Sequence, residues 1–593
     1  MDASGFELTS HRQRRFGSGR RRRWPLLLAA LLVVAVGAVA LVLRGPSAAH
    51  RPGAAQACTG TPVTVTVATA QSDVTTFSAL ARRWNTTTPA ADGRCLAASV
   101  VPAEPADVAA QLGPAWNPAH EGGPPTVWLP DSSLWLAAAA IRPDAAPILS
   151  GQPTSVAASP VVLAVRQPVA QALGWPQRPL DAQQMLASFV DPAKVGQSGP
   201  PMKLGMVDPQ KSTVGLAMAL AMLDPAGTGT VTDQQLLAGI QFSQVLGTVA
   251  PDVQTFLTAM DRPAAATDVA AFPALERDIA GYDAGSPANQ LVPAYQPNPV
   301  VADFPYTILS GSWVDAAHRG AAEQFRQYLL SPTAQDFLAT QGLRGPDRAA
   351  RTAQYLPAAQ GFQPTVPAPR PPATPAGLRQ VLDQWTSIQR PSNVLVALDT
   401  SGSMNFPVPG GTQSKLQLLQ QTATDGFALL TNVTSIAMWD FSVAPDRTDE
   451  HRELVPFGPI FDRVGPVTRQ KALYGAVAGL HADGFTPLYD TAYAAFHEMQ
   501  NRWQPNATNV VLLVTDGANE LDGGLDLAGL VDRLHHEQHA DRPVQIVSVA
   551  VGSEADANAL QQISAATGGH TLLARDPTKA VQQLVLAFAG RLA

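Results

Sequence analysis

The stretch VLVALDTSGSMN, residues 394–405, runs a wholly apolar segment straight into Asp399, Ser401 and Ser403. Five apolar residues in succession predict a buried strand, and the polar residues stand at its carboxyl end. Next comes SKLQLLQQTATDGFALLTN, whose Leu416, Leu419, Ala423, Phe427 and Leu430 keep the spacing of a helix face. A strand, a short loop and a helix in that order place the loop oxygens at the upper edge of a sheet. Two further segments end in the same way. VVLLVTDGANE is a second buried strand closing on Asp516 and Gly517. HADGFTPLYDTAYAAFHEM sets Thr486 in a loop before a helix that starts near Leu488. The runs IAMWDF, 436–441, and VQIVSVAVG, 544–552, supply more strands.

Asp399, Ser401, Ser403, Thr486 and Asp516 form an all-oxygen set of two carboxylates and three hydroxyls. Hard divalent cations take such ligands, whereas softer metals want His or Cys. Asp and Ser are also ordinary helix caps, so the first motif alone means little; the ordered arrival of Thr486 and Asp516 gives it weight. The pattern D-x-S-x-S, then Thr in GFTPLYD, then Asp in VTDG, resembles the von Willebrand factor type A domain with its metal-ion-dependent adhesion site. The resemblance covers roughly 391–593. It implies a doubly wound, Rossmann-like sheet that binds Mg²⁺, or Mn²⁺ or Ca²⁺, and uses it to recognise a protein carboxylate. An enzyme is not expected. TSGSM lacks the G-x-S-x-G elbow of a nucleophilic serine, and the histidines of RLHHEQHAD read as an exposed polar stretch. WDFS at 439–442 reads as strand core, and Asp483 as a loop residue.

With 593 residues the chain is too long for one core. A net charge of −7, with the basic residues concentrated at the start, argues against a general nucleic-acid binder. HRQRRFGSGRRRRWP precedes the apolar run LLLAALLVVAVGAVALVL, residues 26–43. As a helix that run is about 27 Å long, close to the thickness of a hydrocarbon core. The reading is a cytoplasmic basic tail (1–23), a transmembrane anchor (24–44) and a linker (45–57), with the rest of the chain outside the cell. A cleaved signal peptide, or a lipoprotein acylated at Cys58, are the alternatives. Cys58 and Cys95 are the two cysteines, each just before or at the start of a predicted strand, and outside the membrane they are expected to bridge.

Between 58 and 360 short strands alternate with helices, a pattern that predicts parallel sheets with helices on both faces. VTVTVATAQSDVTTFSALARRWN, PTVWLPDSSLWLAAAA and KLGMVDPQKSTVGLAMALAML each put small polar residues between strand and helix. Such helix starts suit a polar or anionic ligand, and each is also an ordinary cap. The stretches VWLPDSSLWL, SPVVLAV and VDPQKSTVGLAMALAML, with the tail at 303–346 that ends in GLRGP, resemble bacterial extracellular solute-binding proteins. Leu343 stands where that family carries an aromatic residue. The resemblance implies a two-lobed periplasmic-binding-protein-like fold, with Ser72, Ser133, Ser159, Thr213 and Tyr306 as cleft candidates. GFQPTVPAPRPPATPAG opens a Pro-rich linker and helix, 361–390, ahead of the last domain, 391–593.

The expectation is a single-pass, membrane-anchored α/β binding and adhesion protein of an actinobacterial-type cell envelope. It would engage a protein partner through a divalent cation, beside a module that holds a small molecule. The competing expectation is the substrate-capture part of an ABC-type uptake system, although the chain has neither a P-loop nor several membrane spans.

Overall fold

A computed structural model of the chain describes residues 58, 61–113, 123–180, 182, 185, 203–260, 269–351, 353–408, 412–443, 449–551 and 555–574. The apolar run at 26–43 and the basic tail before it lie outside these residues. Among the described residues no helix is long and apolar enough to cross a membrane.

The first lobe begins with β1 (Val63–Thr69), α1 (Gln71–Thr86), β2 (Arg94–Pro102), β3 (Val127–Leu129) and α2 (Ser133–Ala139). β1 lies between β2 and β3, parallel to both. Val63 pairs with Leu96, so the starts of β1 and β2 share an edge. There Cys58 and Cys95 form a disulfide with a Cα–Cα distance of 4.9 Å.

The second lobe is built from β4 (Ser159–Arg166), β5 (Lys203–Val207), α3 (Thr213–Leu223), α4 (Asp233–Val245), β6 (Leu246–Ala250), β7 (Val269–Leu275), α5 (Glu276–Ala284) and β8 (Leu291–Ala294). Its strands run in the order β8-β4-β7-β5-β6. α3 is apolar on every side and almost wholly buried. A Cβ at Gly215 would lie 2.2 Å from the Val207 carbonyl oxygen, so only glycine lets this helix press onto β5. The chain then returns to the first lobe as β9 (Pro305–Ile308), antiparallel to β3, and α6 (Ala316–Leu329). In the GLRGP tail, Arg344 is fully buried and places two guanidinium nitrogens on Glu276, each at 2.6 Å. A buried forked pair of this kind fixes the tail on α5.

The Pro-rich stretch is extended, but it is packed rather than free. Phe362 is buried, and Arg370 pairs with Asp224 of the second lobe at 3.2 Å. Thr374 caps α7 (Pro375–Gln389), whose Leu378, Val381, Trp385 and Ile388 join the two-lobed unit's core. The separate linker and helix expected over 361–390 are therefore a strap that this unit absorbs.

The last unit holds β10 (Ser392–Asp399), α8 (Lys415–Phe427), β11 (Thr434–Phe441), β12 (His451–Pro459), α9 (Leu488–Asn501), β13 (Thr508–Thr515), β14 (Gln545–Val551) and β15 (Thr571–Ala574). Its sheet order is β12-β11-β10-β13-β14-β15, parallel except for the antiparallel edge strand β12. Val394, Val396 and Leu398 face one core, Leu395 and Ala397 the other. A strand covered on both sides has no use for polar alternation, which accounts for the unbroken apolar run.

Candidate metal centre and interlobe cleft

At the crown of the last unit, three loops meet because neighbouring parallel strands end at one edge. Asp399 closes β10 and Asp516 follows β13 beside it. The Thr486 loop is drawn in by backbone bonds. Gly402 N donates to Gly484 O at 2.9 Å, Asp483 N to Thr400 O at 2.8 Å, and Phe485 pairs with Val443 just past β11.

The side chains then link up. Ser401 N donates to Asp399 Oδ1 at 2.8 Å, and Thr515 Oγ1 donates to Asp399 Oδ2. The Ser401 and Ser403 hydroxyls lie 3.0 Å apart, and Ser403 Oγ donates to Asp516 Oδ1 at 2.8 Å. A Cβ at Gly517 would stand 3.6 Å from Thr486 Oγ1 and 3.8 Å from Ser403 Oγ, so the last hydroxyl faces the same space. All five expected residues come together here.

Two neighbours were not expected. Lys415, the first residue of α8, puts its ammonium 2.7 Å from Asp516 Oδ2, and both side chains are buried. Glu520 Oε2 accepts from Thr486 N and Thr486 Oγ1, each at 3.2 Å. Lys415 follows the cap Ser414, where sequence alone reads a solvent-facing helix start. Glu520 follows VTDG closely, and its nearness to that loop was the available signal.

The donor set fits a hard divalent cation. Its oxygens come from carboxylates and hydroxyls, with Asp399, Ser401, Thr486 and Asp516 buried and Ser403 half-buried. Burial pushes the Asp399 carboxyl up to about 6, against the opposing hydrogen bonds of Thr515 and Ser401. A buried acid raised in this way, close to a second acid, gains from a cation. Among the described residues no group of three or more His, Cys, Asp and Glu could hold a metal, so any ion would rest on the hydroxyls as well.

The two lobes enclose a cavity of about 770 Å³, lined by Ser72, Asp131, Trp135, Thr213, Arg277 and Asp278 among others. Side chains span it. Arg277 of the second lobe forms an ion pair with Asp73 of the first. Trp135 Nε1 donates to Thr213 Oγ1, which donates to Asp131 Oδ1, each at 2.7 Å. Burial, then the nearby Asp73 charge, pushes Asp131 up to about 7.

Of the cleft candidates, Ser72 and Thr213 line this cavity. The other three lie elsewhere. Ser133 gives its backbone N–H to Asp303 at 2.7 Å and borders a separate pocket near Pro369 and Arg370. Ser159 is fully buried and accepts from Arg277 N at 3.2 Å. Tyr306 is buried in the first lobe, its hydroxyl donating to Ala322 O at 2.8 Å. Each is held by a backbone hydrogen bond that the fold requires. The sequence reading missed Asp73, Trp135 and Arg277; Asp131, two residues past the end of β3, was read only as one of the small polar residues between strand and helix.

Residues 65–344 match the bacterial extracellular solute-binding protein family, and residues 393–586 match the von Willebrand factor type A domain. The protein joins one domain of each kind. Two uncharacterised proteins of Mycobacterium tuberculosis, from strains CDC 1551 and H37Rv, are each 25% identical to it over 562 residues. Those alignments cover 91% of this chain and 79% of the relative. Among solved structures, the sulfate-binding protein SubI of M. tuberculosis H37Rv is 18% identical with a TM-score of 0.34, covering 53% of this chain and 96% of SubI. A von Willebrand factor type A protein from Catenulispora acidiphila is 20% identical with a TM-score of 0.27. That match covers 34% of this chain and 43% of the Catenulispora chain.

Proposed function

We propose that this protein is a non-enzymatic binding and adhesion protein of the cell envelope, anchored by the apolar run at 26–43. Its von Willebrand factor A domain engages an acidic group on a protein partner through Mg²⁺. The observation that carries this reading is the chain of contacts Asp399–Ser401–Ser403–Asp516, with Thr486 facing the same space. Ser401, Ser403 and Thr486 would hold the ion through neutral oxygens. Asp399 and Asp516 would hold its waters. Neutral ligands leave a cation electron-poor and ready to take a carboxylate from outside. Among the described residues the hydrogen-bond partners of the serine hydroxyls include no histidine, which supports reading them as ligands rather than nucleophiles.

A second reading, solute capture, is favoured by the interlobe cavity of about 770 Å³. Its carboxylates and its interlobe bonds favour a role in which the domain is a closed platform.

The test is calorimetric titration of the full-length protein in detergent with MgCl₂. Wild type binds; Asp399→Ala does not. Equal heats from the two proteins would overturn the metal site. Native mass spectrometry of the same preparation addresses the cleft, since a co-purifying small molecule would move the conclusion toward solute capture.

A further inference from the structure

Arg277, the second residue of α5, reaches from the second lobe into the interlobe cavity, and only 10% of its side chain is exposed. Its Nη1 pairs with Asp73 of the first lobe, whose side chain is fully buried. Its Nε lies 3.5 Å from Asp278 Oδ1. The guanidinium carbon stands 5.2 Å from the centre of the Phe304 ring. Carboxylates around the donors and an aromatic face beside the plane are the groups that recognise a guanidinium.

The ring is placed at a cost. Phe304 has a φ of 42°, a left-handed backbone that bulky residues rarely adopt. Its N–H donates to Asp131 O at 3.0 Å, and its carbonyl accepts from Val156 N at 3.2 Å. Those bonds hold the strained residue in place beside Arg277.

The rest of the cavity selects the sign of charge. Among the described residues five acids line it, Glu104 and Asp131 included, against two cations, Lys211 and Arg277. The amide of Gln71, a helix start that could draw an anion, already donates to Glu104 Oε1 at 3.2 Å. Without Arg277 only Lys211 would oppose these acids, so an oxyanion would be repelled and a cation drawn in. The cavity of about 770 Å³ gives a small molecule room to reach the same corner.

We infer that the corner framed by Asp73, Asp278 and Phe304 is a recognition site for a guanidinium-type cation, and that Arg277 is its tethered occupant, shutting the cleft from within. This inference rests on the reading of the two-lobed domain as a closed platform and is independent of the metal site.

The experiment titrates the full-length protein in detergent with methylguanidinium chloride, with urea as a neutral analogue and sodium sulfate as the anion. Calorimetry, melting temperature and small-angle scattering supply the readouts. Wild type should bind none of the three. Arg277→Ala should have parted lobes, bind methylguanidinium about tenfold more tightly than urea, and ignore sulfate, because urea offers no charge to the carboxylates. Saturation with methylguanidinium should raise its melting temperature and bring its radius of gyration back toward wild type. The double variant Asp73→Asn, Arg277→Ala should lose the preference for methylguanidinium over urea. If Arg277→Ala does not fold alone, folding it with each additive makes the same comparison: recovery with methylguanidinium only supports the site, and equal recovery or none with all three overturns it. A wild type that binds methylguanidinium as tightly as Arg277→Ala would show that Arg277 is not the occupant. Equal affinity of Arg277→Ala for methylguanidinium and urea would show that the corner does not select a cation. Lobes already parted in wild type would instead sink the closed-platform reading.

Discussion

The crown and the interlobe cleft are both built where strands end, yet they treat buried charge in opposite ways. In the crown the five oxygen-bearing residues gather at the upper edge of one sheet, so hydroxyls and acids meet without any movement of the fold. Asp399 is held by Ser401 and Thr515, and Asp516 shares its oxygens between Ser403 and Lys415. In the cleft the contacts cross from one sheet to another. Asp73 meets Arg277 and Asp131 meets Thr213 only when the lobes are shut. A crown of this kind is pre-organised for an ion, whereas the cleft spends its polar groups on itself. The lesson is that similar topology at a strand end does not settle whether a site awaits a ligand or has become a joint.

The largest effect that could break this contrast is expected at the crown. Asp516→Ala should abolish Mg²⁺ binding and destabilise the domain by about 3–5 kcal/mol, because Lys415 loses its buried carboxylate. Denaturant unfolding with and without MgCl₂ measures both. A variant of near wild-type stability would mean that the ion pair does not hold the crown.

Next comes the cleft. Arg277→Met strips the cation from Asp73, whose side chain is fully buried, and should cost about 3 kcal/mol. It should also enlarge the radius of gyration in small-angle scattering while leaving Mg²⁺ affinity untouched. A metal affinity that moved with it would show that the two sites are not independent.

The smallest effect is a pH slope. Asp131 is raised to about 7, above its unfolded value, so the folded protein binds more protons than the unfolded chain between about pH 4 and 7. Its contribution to stability is therefore full below about pH 4 and is lost as pH rises through 7. Asp131→Asn should flatten that loss, seen as a smaller drop in melting temperature between pH 5 and pH 8. Parallel profiles for the two proteins would place the proton elsewhere.

What the sequence disclosed follows the same divide. Asp399, Ser401, Ser403, Thr486 and Asp516 were legible because each sits just after an apolar strand or just before a helix, and one sheet brings such places together. The strands around them were legible for the same reason, with ends within two residues of those observed for 436–441 and 544–552. Lys415 was not, since a lysine after a serine cap looks like a surface residue until tertiary packing turns it inward. The cleft was read less well. Ser133 and Ser159 carry the right residue type at element starts but answer local backbone needs, and Tyr306 fills a core. Arg277 gave no signal at all: an arginine early in a helix is unremarkable, and its partner lies 204 residues away. The packed Pro-rich strap was equally hidden, because prolines dictate an extended backbone without saying what it lies against.

That strap carries a mechanical consequence. α7 is sunk in the core of the two-lobed unit, and only Arg390 and Pro391 lie between its end and the start of β10. Gln244 of α4 adds a second rivet, its side-chain amide reaching the carbonyls of Ala428 and Leu430 just past α8. A chain with so little slack cannot act as a swivel. Tension applied at the crown by a bound partner would run down the central strand of the distal sheet and be borne by the helix layer of the other unit.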